Sequence, residues 1–379
     1  MTVTVVCDVL GRENNGTTIA AMNLIRSLKK KGHTVRVICP DSQRRAEEGF
    51  YIVDRFNVGP FNGYVEKNGV ALSKPDRKII REALRGADVV HVMIPFALGI
   101  AAAKEAAAMG IPVTAGFHCQ AENFSNHIFL MNAPAANRAI YRFFYRHLYS
   151  KCRCVHYPTQ FICSTFENIV GPTNHYIISN GVGSAFVPMS VQRPEWLPED
   201  RFTVLFTGRY SREKSHGVLI DAVALSAHRN EIQLVFAGSG PQRDNIRKRA
   251  ELQGINMPIM RFFSRDELLQ VINSSDLYVH PAEIEIEAIA CLEAIACGLV
   301  PVVSDSPRSA TGAFALTPEN LFHCGDAADL ARKIDYWLEN PEKREQCSKM
   351  YQGFGAGFNS EICMDKMERM LLDAVQKEA

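Results

Sequence analysis

Residues 281–298 read PAEIEIEAIACLEAIACG and set Glu285 and Glu293 eight residues apart in a largely apolar run. Carboxylates are rarely placed in apolar surroundings unless a partner or a ligand holds them there. On a continuous helix, eight residues at 1.5 Å each would separate the two by roughly 12 Å. That is too far for the carboxylate pair of a glycoside hydrolase, which needs about 5–9.5 Å. The spacing instead favours contacts with the two ends of one elongated ligand.

The residues around this run predict alternating strands and helices. In the second half of the chain we predict strands at 202–206, 232–237, 277–279 and 300–303 and helices at 217–227, 245–253, 266–274, 287–297 and 329–338. In the first half we predict strands at 4–7, 35–39, 88–93 and 111–115 and helices at 17–31 and 98–109, and the segment 150–179 continues the pattern with a short strand, a helix and a strand at 176–178. Such alternation is typical of α/β proteins with parallel, doubly wound sheets.

The stretch 184–200 interrupts this pattern, because it contains three prolines and little periodicity. We interpret it as a linker. The sequence thus predicts two Rossmann-like domains facing a cleft, one at 1–183 and one at 184–359. We expect the helical segment 360–379 to return to the first domain.

Composition narrows the function classes. A chain of 379 residues can build two cores, and its net charge of +1 argues against duplex DNA as a partner. The eleven cysteines are scattered without a CxxC pair, and the start lacks a basic leader, so we expect reduced thiols in a cytosol. No stretch reaches the roughly 18 apolar residues of a membrane span, so we expect any membrane contact to be peripheral.

Ligands of open α/β sheets bind beyond the carboxyl ends of the strands. Gly16 lies in a turn that follows the first predicted strand and opens a helix, although its neighbours lack GxGxxG. Arg209 and Lys214 follow the strand at 202–206, where two cations could neutralise a leaving diphosphate in place of a metal. The alternatives are an ordinary capped turn and a solvated run of charges.

Two further strand ends carry candidate residues. Gly238 and Gly240 form a turn after the strand at 232–237 that would let backbone approach a ligand, although this motif is weak alone. His118 follows the strand at 111–115, where a structural histidine is the alternative. No DxD run stands at a strand end, so the sequence predicts no diphosphate-chelating metal site.

Residues 137–157 read NRAIYRFFYRHLYSKCRCVHY and alternate basic with aromatic side chains. Arg138, Arg142 and Arg146 are typical of an interfacial helix on an anionic bilayer. Together with the apolar residues 128–131 they predict peripheral membrane contact through 128–154. The alternative is a surface helix whose aromatic face belongs to the core, and nucleic acid is disfavoured by the near-neutral charge.

Taken together, the motifs resemble retaining glycosyltransferases of family 4, which have the GT-B fold. The resemblance covers nearly the whole chain, including Gly16 and His118 in the first half. The motifs of the second half that carry it are Asn180-Gly181-Val182, Thr207-Gly208-Arg209 with Lys214 and Gly217, Ala237-Gly238-Ser239-Gly240-Pro241, and Glu285-x7-Glu293 followed by Ala294-x-Ala296-x-Gly298-x-x-Pro301.

The resemblance implies a role for each matching residue. Arg209 and Lys214 would hold the donor diphosphate, which Gly16 would let the backbone approach. Glu285 would bind hydroxyls of the donor sugar and Glu293 those of the ribose. The donor would be a UDP-sugar, and the family is usually independent of metal and of any cofactor.

The reaction centre is also implied by the resemblance. His118 would lie near the anomeric carbon, and with Arg209, Lys214 and Glu285 it completes the expected catalytic set. Relatives usually have a glycine-rich stretch after the first glutamate, whereas this chain has Ile286-Glu287-Ala288 at that donor-contacting position. A carboxylate at 287 would repel a diphosphate unless it pointed away.

The chain is most similar in pattern to bacterial lipid α-glucosyltransferases, including the cholesterol and diacylglycerol groups. We therefore expect a cytoplasmic enzyme, peripheral at the inner face of the cell membrane. We expect it to transfer a hexose, namely glucose from UDP-glucose, to a lipid hydroxyl and form an α-glycolipid. The domain at 1–183 would be the acceptor-binding domain and the domain at 184–359 the nucleotide-sugar-binding domain. Alternatives are a hexosyltransferase acting on a glycan, a nucleotide-sugar epimerase and a non-catalytic sensor of nucleotide sugars.

Overall fold

A computed structural model describes residues 1–11, 16–57, 59, 73–126 and 132–376. The chain divides into two compact units, of which the first comprises Met1–Asn180 with Glu361–Ala379 and the second Gly181–Ser360. Each unit has its own parallel sheet and its own apolar core. The first unit ends at residue 180, whereas the sequence predicted a boundary at 183.

The first unit is built on seven parallel strands in the order β3-β2-β1-β4-β5-β6-β7. The strands are β1 Thr2–Val6, β2 Thr34–Cys39, β3 Phe50–Ile52, β4 Val89–Val92, β5 Val113–Gly116, β6 Cys154–Tyr157 and β7 His175–Ile177. The helices are α1 Gly16–Lys30, α2 Arg77–Leu84, α3 Ala97–Ala108, α4 Ala121–Asn126, α5 Pro134–His147 and α6 Gln160–Val170. The central strands are buried, which explains their nearly continuous apolar sequences.

The last helix, α13 (Ser360–Gln376), completes the core of the first unit. Met364, Met367 and Met370 are buried there together with residues of β1 and α1. At the rim, Lys31 forms ion pairs with Asp365 and Glu368. The C-terminal segment of the chain is therefore part of the fold of the N-terminal unit.

The second unit has six parallel strands in the order β10-β9-β8-β11-β12-β13. They are β8 Phe202–Thr207, β9 Ile232–Ala237, β10 Ile259–Arg261, β11 Leu277–His280, β12 Pro301–Ser304 and β13 Leu321–Phe322. The helices are α7 His216–Leu225, α8 Arg243–Gln253, α9 Arg265–Asn273, α10 Ile289–Ala296, α11 Ala327–Glu339 and α12 Pro341–Ala356. In both sheets the first strand is central and the order reverses beside it, as in a Rossmann fold.

The stretch 184–200 belongs to the second unit and is not a free linker. Phe186 and Leu197 are buried in the core of that unit. The ring of Trp196 stacks on Phe263 with centroids 5.5 Å apart, and Arg193 donates to the carbonyl oxygens of Pro198 and Ser274. The prolines prevent regular structure here, but apolar side chains still anchor the segment.

The basic aromatic segment 137–157 is not one helix, because α5 ends at His147 and residues 154–157 form the buried strand β6. Tyr141 and Phe144 of α5 are buried, and Tyr141 stacks with the core residue Phe117. Much of the aromatic face is therefore core. The predicted apolar flank 128–131 lies outside the described residues. Within the described ranges, no helix has the length and apolar composition needed to cross a membrane.

Candidate active site

Glu285 lies in the irregular segment between β11 and α10, and the helix predicted at 287–297 is observed at Ile289–Ala296. The helix begins at Ile289 because Ala288, at its N-cap, has a left-handed conformation with φ of 58°. The two glutamates therefore do not share a continuous helix, and the separation of roughly 12 Å expected for one does not apply. Glu285 is instead fixed by its backbone, since its N–H donates to the carbonyl of Arg308 and its carbonyl accepts from Ala310.

The Glu285 carboxylate is held by two donors. Its Oε1 accepts a hydrogen bond from Nζ of Lys214 and another, of 2.9 Å, from Nε2 of His280. Burial alone would raise the pKa of Glu285, but the Lys214 ammonium and His280 outweigh burial and lower the pKa to about 2. Glu285 is therefore ionised at neutral pH. Among the described residues none donates a hydrogen bond to its Oε2.

His280 was not predicted from the sequence, although it follows the predicted strand at 277–279. It is the last residue of β11 and is 1% exposed. Its Nδ1 lies 3.2 Å from the hydroxyl of Tyr278, which in turn lies 2.8 Å from Oγ1 of Thr207. The strand-end position was the signal that could have identified it, as it did for His118.

Arg209 and Lys214 both belong to the turn between β8 and α7. Nη2 of Arg209 lies 3.6 Å from Oε1 of Glu213, and the Arg209 side chain is 31% exposed. The carbonyl of Glu213 accepts from the N–H of Glu283, which joins this turn to the segment that carries Glu285. The structure therefore brings Lys214 into contact with Glu285 and places Arg209 in the same turn.

Glu293 is a half-buried residue of α10. Burial raises its pKa to about 7, and the charge of Arg265 opposes that shift only in part. Among the described residues no side chain forms a hydrogen bond or ion pair with the Glu293 carboxylate. Within the described part of the chain, the cost of burying this carboxylate is therefore offset only in part, by the charge of Arg265.

The unusual stretch after Glu285 forms the entrance to α10. Ile286 is half-buried, whereas Glu287 is 4% exposed and Ala288 is buried at the N-cap. Glu287 is thus much less accessible to solvent than the side chains of a surface loop. The left-handed Ala288 adopts a backbone conformation that glycine usually supplies.

Gly238 and Gly240 are required by the packing of two strand-end turns in the second unit. A Cβ on Gly238 would lie 2.0 Å from the carbonyl oxygen of Gly208, and one on Gly240 would lie 2.5 Å from that of Tyr210. The N–H of Tyr210 also donates to the carbonyl of Ser239. Because they lack a Cβ, these glycines allow the turn that carries Arg209 to pack against the turn after β9. The packing requires them independently of any contact with a ligand.

In the first unit, the structure brings the start of α1 close to His118. Gly16 is the exposed first residue of that helix, and the hydroxyl of Thr17 donates to the carbonyl of His118 over 3.5 Å. Residues 12–15 of the same turn lie outside the described residues. The two predicted positions therefore belong to one edge of the sheet.

The His118 ring is buried at Nε2, which has no hydrogen-bond partner among the described residues. Burial, with smaller contributions from His156 and His91, holds its pKa well below the usual value for histidine. His118 is therefore neutral at pH 7 and can donate or accept one hydrogen bond at this nitrogen.

Two protein-family models match the chain. Residues 14–185 match Glycosyltransferase Family 4, and residues 190–352 match Glycosyl transferases group 1. These ranges contain all the predicted site residues. The chain is a glycosyltransferase.

Curated relatives of this glycosyltransferase are named for different sugars. It is 29% identical over 317 residues to a GDP-mannose-dependent alpha-mannosyltransferase of Mycolicibacterium smegmatis, which covers 80% of this chain and 79% of the relative. It is 20% identical over 387 residues to the alpha-monoglucosyldiacylglycerol synthase of Acholeplasma laidlawii, which covers 96% and 94%. The names of both relatives describe the transfer or attachment of a sugar, but the sugar is mannose in the first and glucose in the second.

Solved structures match the glycosyltransferase over its whole length. Anabaena HepE in complex with UDP and glucose superposes with a TM-score of 0.74 at 14% identity and covers 98% of this chain and 100% of its own. The GT-B fold predicted from the sequence is confirmed. The catalytic domain of cholesterol-alpha-glucosyltransferase from Helicobacter pylori is 44% identical over 42% of this chain and 99% of its own, with a TM-score of 0.41.

The raised pKa of Glu293 predicts a pH-dependent effect of the substitution Glu293→Gln. Below the unfolded pKa of about 4.3, both folded and unfolded forms are protonated, so the carboxyl costs no stability. As pH rises from there through the folded pKa of about 7, the unfolded state loses its proton first and the folded state is disfavoured. Glu293→Gln removes this penalty and should raise the unfolding midpoint at pH 8 but not at pH 4.5.

Thermal unfolding at the two pH values measures this difference. Glu342→Gln, at an exposed position of α12, is the matched control and should change neither midpoint. Equal stabilisation by Glu293→Gln at both pH values would show that the Glu293 carboxyl does not titrate as described.

Proposed function

We propose that this glycosyltransferase transfers a hexose from a nucleotide sugar to a lipid hydroxyl and retains the anomeric configuration, giving an α-glycolipid. The observation that carries the proposal is the arrangement at Glu285. Lys214 and His280 donate to one carboxylate oxygen, and no described residue donates to the other. An ionised carboxylate with one available oxygen is a strong acceptor for a sugar hydroxyl.

We further propose that Arg209 and Lys214 bind the donor diphosphate. Both cations lie in the β8–α7 turn, at the carboxyl edge of the sheet where ligands of such folds bind. Positive groups fixed at that position would stabilise the charge that develops on a departing nucleoside diphosphate. In this proposal they supply the stabilisation that a divalent cation provides in other enzymes, and Glu293 binds the ribose hydroxyls.

The proposed donor is UDP-glucose, with GDP-mannose as the second candidate. The residue pattern resembles lipid α-glucosyltransferases, and a relative that spans nearly the whole chain is named an alpha-monoglucosyldiacylglycerol synthase. GDP-mannose is supported by the relatives from mycobacteria, one of which is 29% identical. The two donors differ in both base and sugar, so one assay separates them.

The proposed acceptor is a membrane lipid, and it is supported by the names of relatives and by the surface of α5. Relatives include a phosphatidylinositol dimannoside mannosyltransferase as well as the diacylglycerol enzyme. Arg138, Arg142 and Arg146 recur every four residues along α5 and are exposed, as is Phe143. Spacing of four residues places the three arginines along one side of the helix.

In the first unit we propose that His118 contacts the transferred sugar and that Gly16 lets backbone approach the donor. A neutral imidazole suits the first role, because it can donate to or accept from a hydroxyl without adding charge where the glycosidic bond breaks. The position of His118 just after β5, at the edge of the sheet where ligands of such folds bind, supports this assignment.

Transfer from labelled donors tests the proposal. Purified protein is incubated with radiolabelled UDP-glucose, UDP-galactose or GDP-mannose, together with a total lipid extract, and the label is partitioned into organic and aqueous phases. We expect label from UDP-glucose in the organic phase, as a product that an α-glucosidase cleaves. Label confined to water-soluble glycans would contradict a lipid acceptor, and an isomerised sugar formed without acceptor would identify an epimerase.

Variants in the same assay test the cation assignment. Lys214→Ala and Arg209→Ala should each lower turnover more than tenfold, which corresponds to at least ~1.4 kcal/mol of lost transition-state stabilisation. Lys248→Ala, at an exposed position of α8, is the matched control and should retain the wild-type rate. Wild-type rates in both test variants would contradict the assignment of the diphosphate site.

Flotation with lipid vesicles tests the membrane contact. We expect the protein to float with vesicles that contain anionic lipid and to remain at the bottom with neutral vesicles. Replacing Arg138, Arg142 and Arg146 together by Glu should reduce the floating fraction at least tenfold, because each basic residue near an anionic surface contributes about 1 kcal/mol.

The control for flotation changes the net charge by the same amount elsewhere. Lys248, Lys343 and Lys349 are exposed residues of the second unit, and their joint replacement by Glu should leave flotation nearly unchanged. Equal losses in the two triple variants would attribute binding to overall charge and not to α5.

A further inference from the structure

A chain of buried hydrogen bonds leads from β8 through β11 to Glu285. Oγ1 of Thr207 lies 2.8 Å from the Tyr278 hydroxyl, that hydroxyl lies 3.2 Å from Nδ1 of His280, and Nε2 of His280 lies 2.9 Å from Oε1 of Glu285. All three residues that support Glu285 in this way are less than one-tenth exposed. The proposed binding of the donor diphosphate by the two cations of the β8–α7 turn does not require any of these three residues.

The direction of each hydrogen bond follows from the last one. Burial lowers the pKa of His280 despite the opposing charge of Glu285, so the ring is neutral and carries one N–H. An ionised carboxylate only accepts, so that hydrogen is on Nε2, and Nδ1 accepts from Tyr278. The Tyr278 oxygen can then accept from Thr207. The chain is satisfied only with the N–H of His280 directed at Glu285.

The His280 ring has little freedom to turn away from this arrangement. Its ring lies edge-on to Phe206, with centroids 5.3 Å apart, and stacks with Tyr278 at 6.0 Å. The ring is 1% exposed. Aromatic contacts therefore fix the ring plane, the Glu285 carboxylate fixes the hydrogen on Nε2, and the Tyr278 hydroxyl can donate to Nδ1.

If the proposed function holds, the Lys214 ammonium interacts with two anionic groups, the Glu285 carboxylate and the donor diphosphate. Without ligand its ammonium pairs with Glu285, whereas a bound diphosphate would compete for the same ammonium. Glu285 would then lose a partner at the moment when its orientation toward the sugar matters. His280 is the second donor to Oε1. Its hydrogen-bond partners among the described residues are Tyr278 and Glu285, so a diphosphate bound at Lys214 would leave this bond in place.

We propose that His280 is a positioning residue for Glu285, and that Thr207 and Tyr278 fix its ring so that the carboxylate keeps its orientation when the donor diphosphate engages Lys214. This inference rests on the proposed function, in which Glu285 binds a donor hydroxyl through Oε2. Because His280 donates only to Oε1 of Glu285, replacing His280 should affect only the interactions of the sugar part of the donor. The affinity for a nucleoside diphosphate without sugar should change little.

The test compares binding of the sugar-free nucleotide with use of the complete donor. UDP and GDP are titrated calorimetrically into wild-type protein, His280→Phe, His280→Gln and Tyr278→Phe, and kcat and KM are measured with the matching nucleotide sugar. His280→Phe removes the donor and keeps an aromatic ring, so kcat/KM should fall between about tenfold and a hundredfold, as for a lost hydrogen bond to a charged group. The Kd for the sugar-free nucleotide should change less than about threefold.

The other variants separate positioning from mere folding. A glutamine amide can donate to Oε1, so His280→Gln should recover most of the lost kcat/KM, and Tyr278→Phe should have an intermediate effect because the ring loses only its hydroxyl partner. His228→Gln, at a surface pair with Glu231 and Glu339, should match wild type. All variants are first compared by thermal unfolding.

The outcomes distinguish this inference from the proposed function. If wild-type protein binds neither nucleotide and transfers no sugar, the proposed function fails. If wild type is active but His280→Phe retains its kcat/KM, or weakens the sugar-free nucleotide as much as the donor, the positioning role of His280 is overturned. Loss of activity in His280→Gln equal to that in His280→Phe would also overturn it, because the hydrogen bond would then not be the cause.

Discussion

The negative charge of Glu285 is the constraint on which the site in the second unit depends. A carboxylate removed from water is stable only with close partners, and removing one partner of a buried ion pair typically costs about 3–5 kcal/mol. Its partners come from separate parts of the chain. Lys214 comes from the β8–α7 turn and His280 from the end of β11. Stabilising this one charge therefore holds two strand-end segments against the segment that carries Glu285, and the backbone N–H of Glu285 joins that segment to the carbonyl of Arg308 after β12.

The fold of each unit is largely readable from the sequence, and the reason is burial. The central strands of a parallel sheet are covered on both faces, so they appear as short apolar runs separated by helical periods. The strands that were not predicted are β3, β10 and β13, each at or next to a sheet edge, with two or three residues and partial exposure. Such segments leave no periodic signal. The prolines of 184–200 suggested a linker because sequence shows where regular structure stops but not where apolar side chains pack.

Residues of the candidate site were predictable where a charged or polar side chain follows a predicted strand. Arg209, Lys214 and His118 follow predicted strands, and the rule that ligands bind there identified all three. His280 satisfies the same rule but is surrounded by apolar residues, so the sequence presents it as core. The conformation of Ala288 was not foreseeable, because positive φ is usually marked by glycine, and this is why the helix begins at Ile289 and not at 287 as predicted.

A crystal structure of the protein with its intact nucleotide-sugar donor tests the central claim most directly. The account predicts a sugar hydroxyl on Oε2 of Glu285, the ribose diol on Glu293 and the diphosphate beside Lys214, with the 2.9 Å bond between His280 and Glu285 retained. A donor bound elsewhere, or one whose sugar leaves Glu285 untouched, would contradict it.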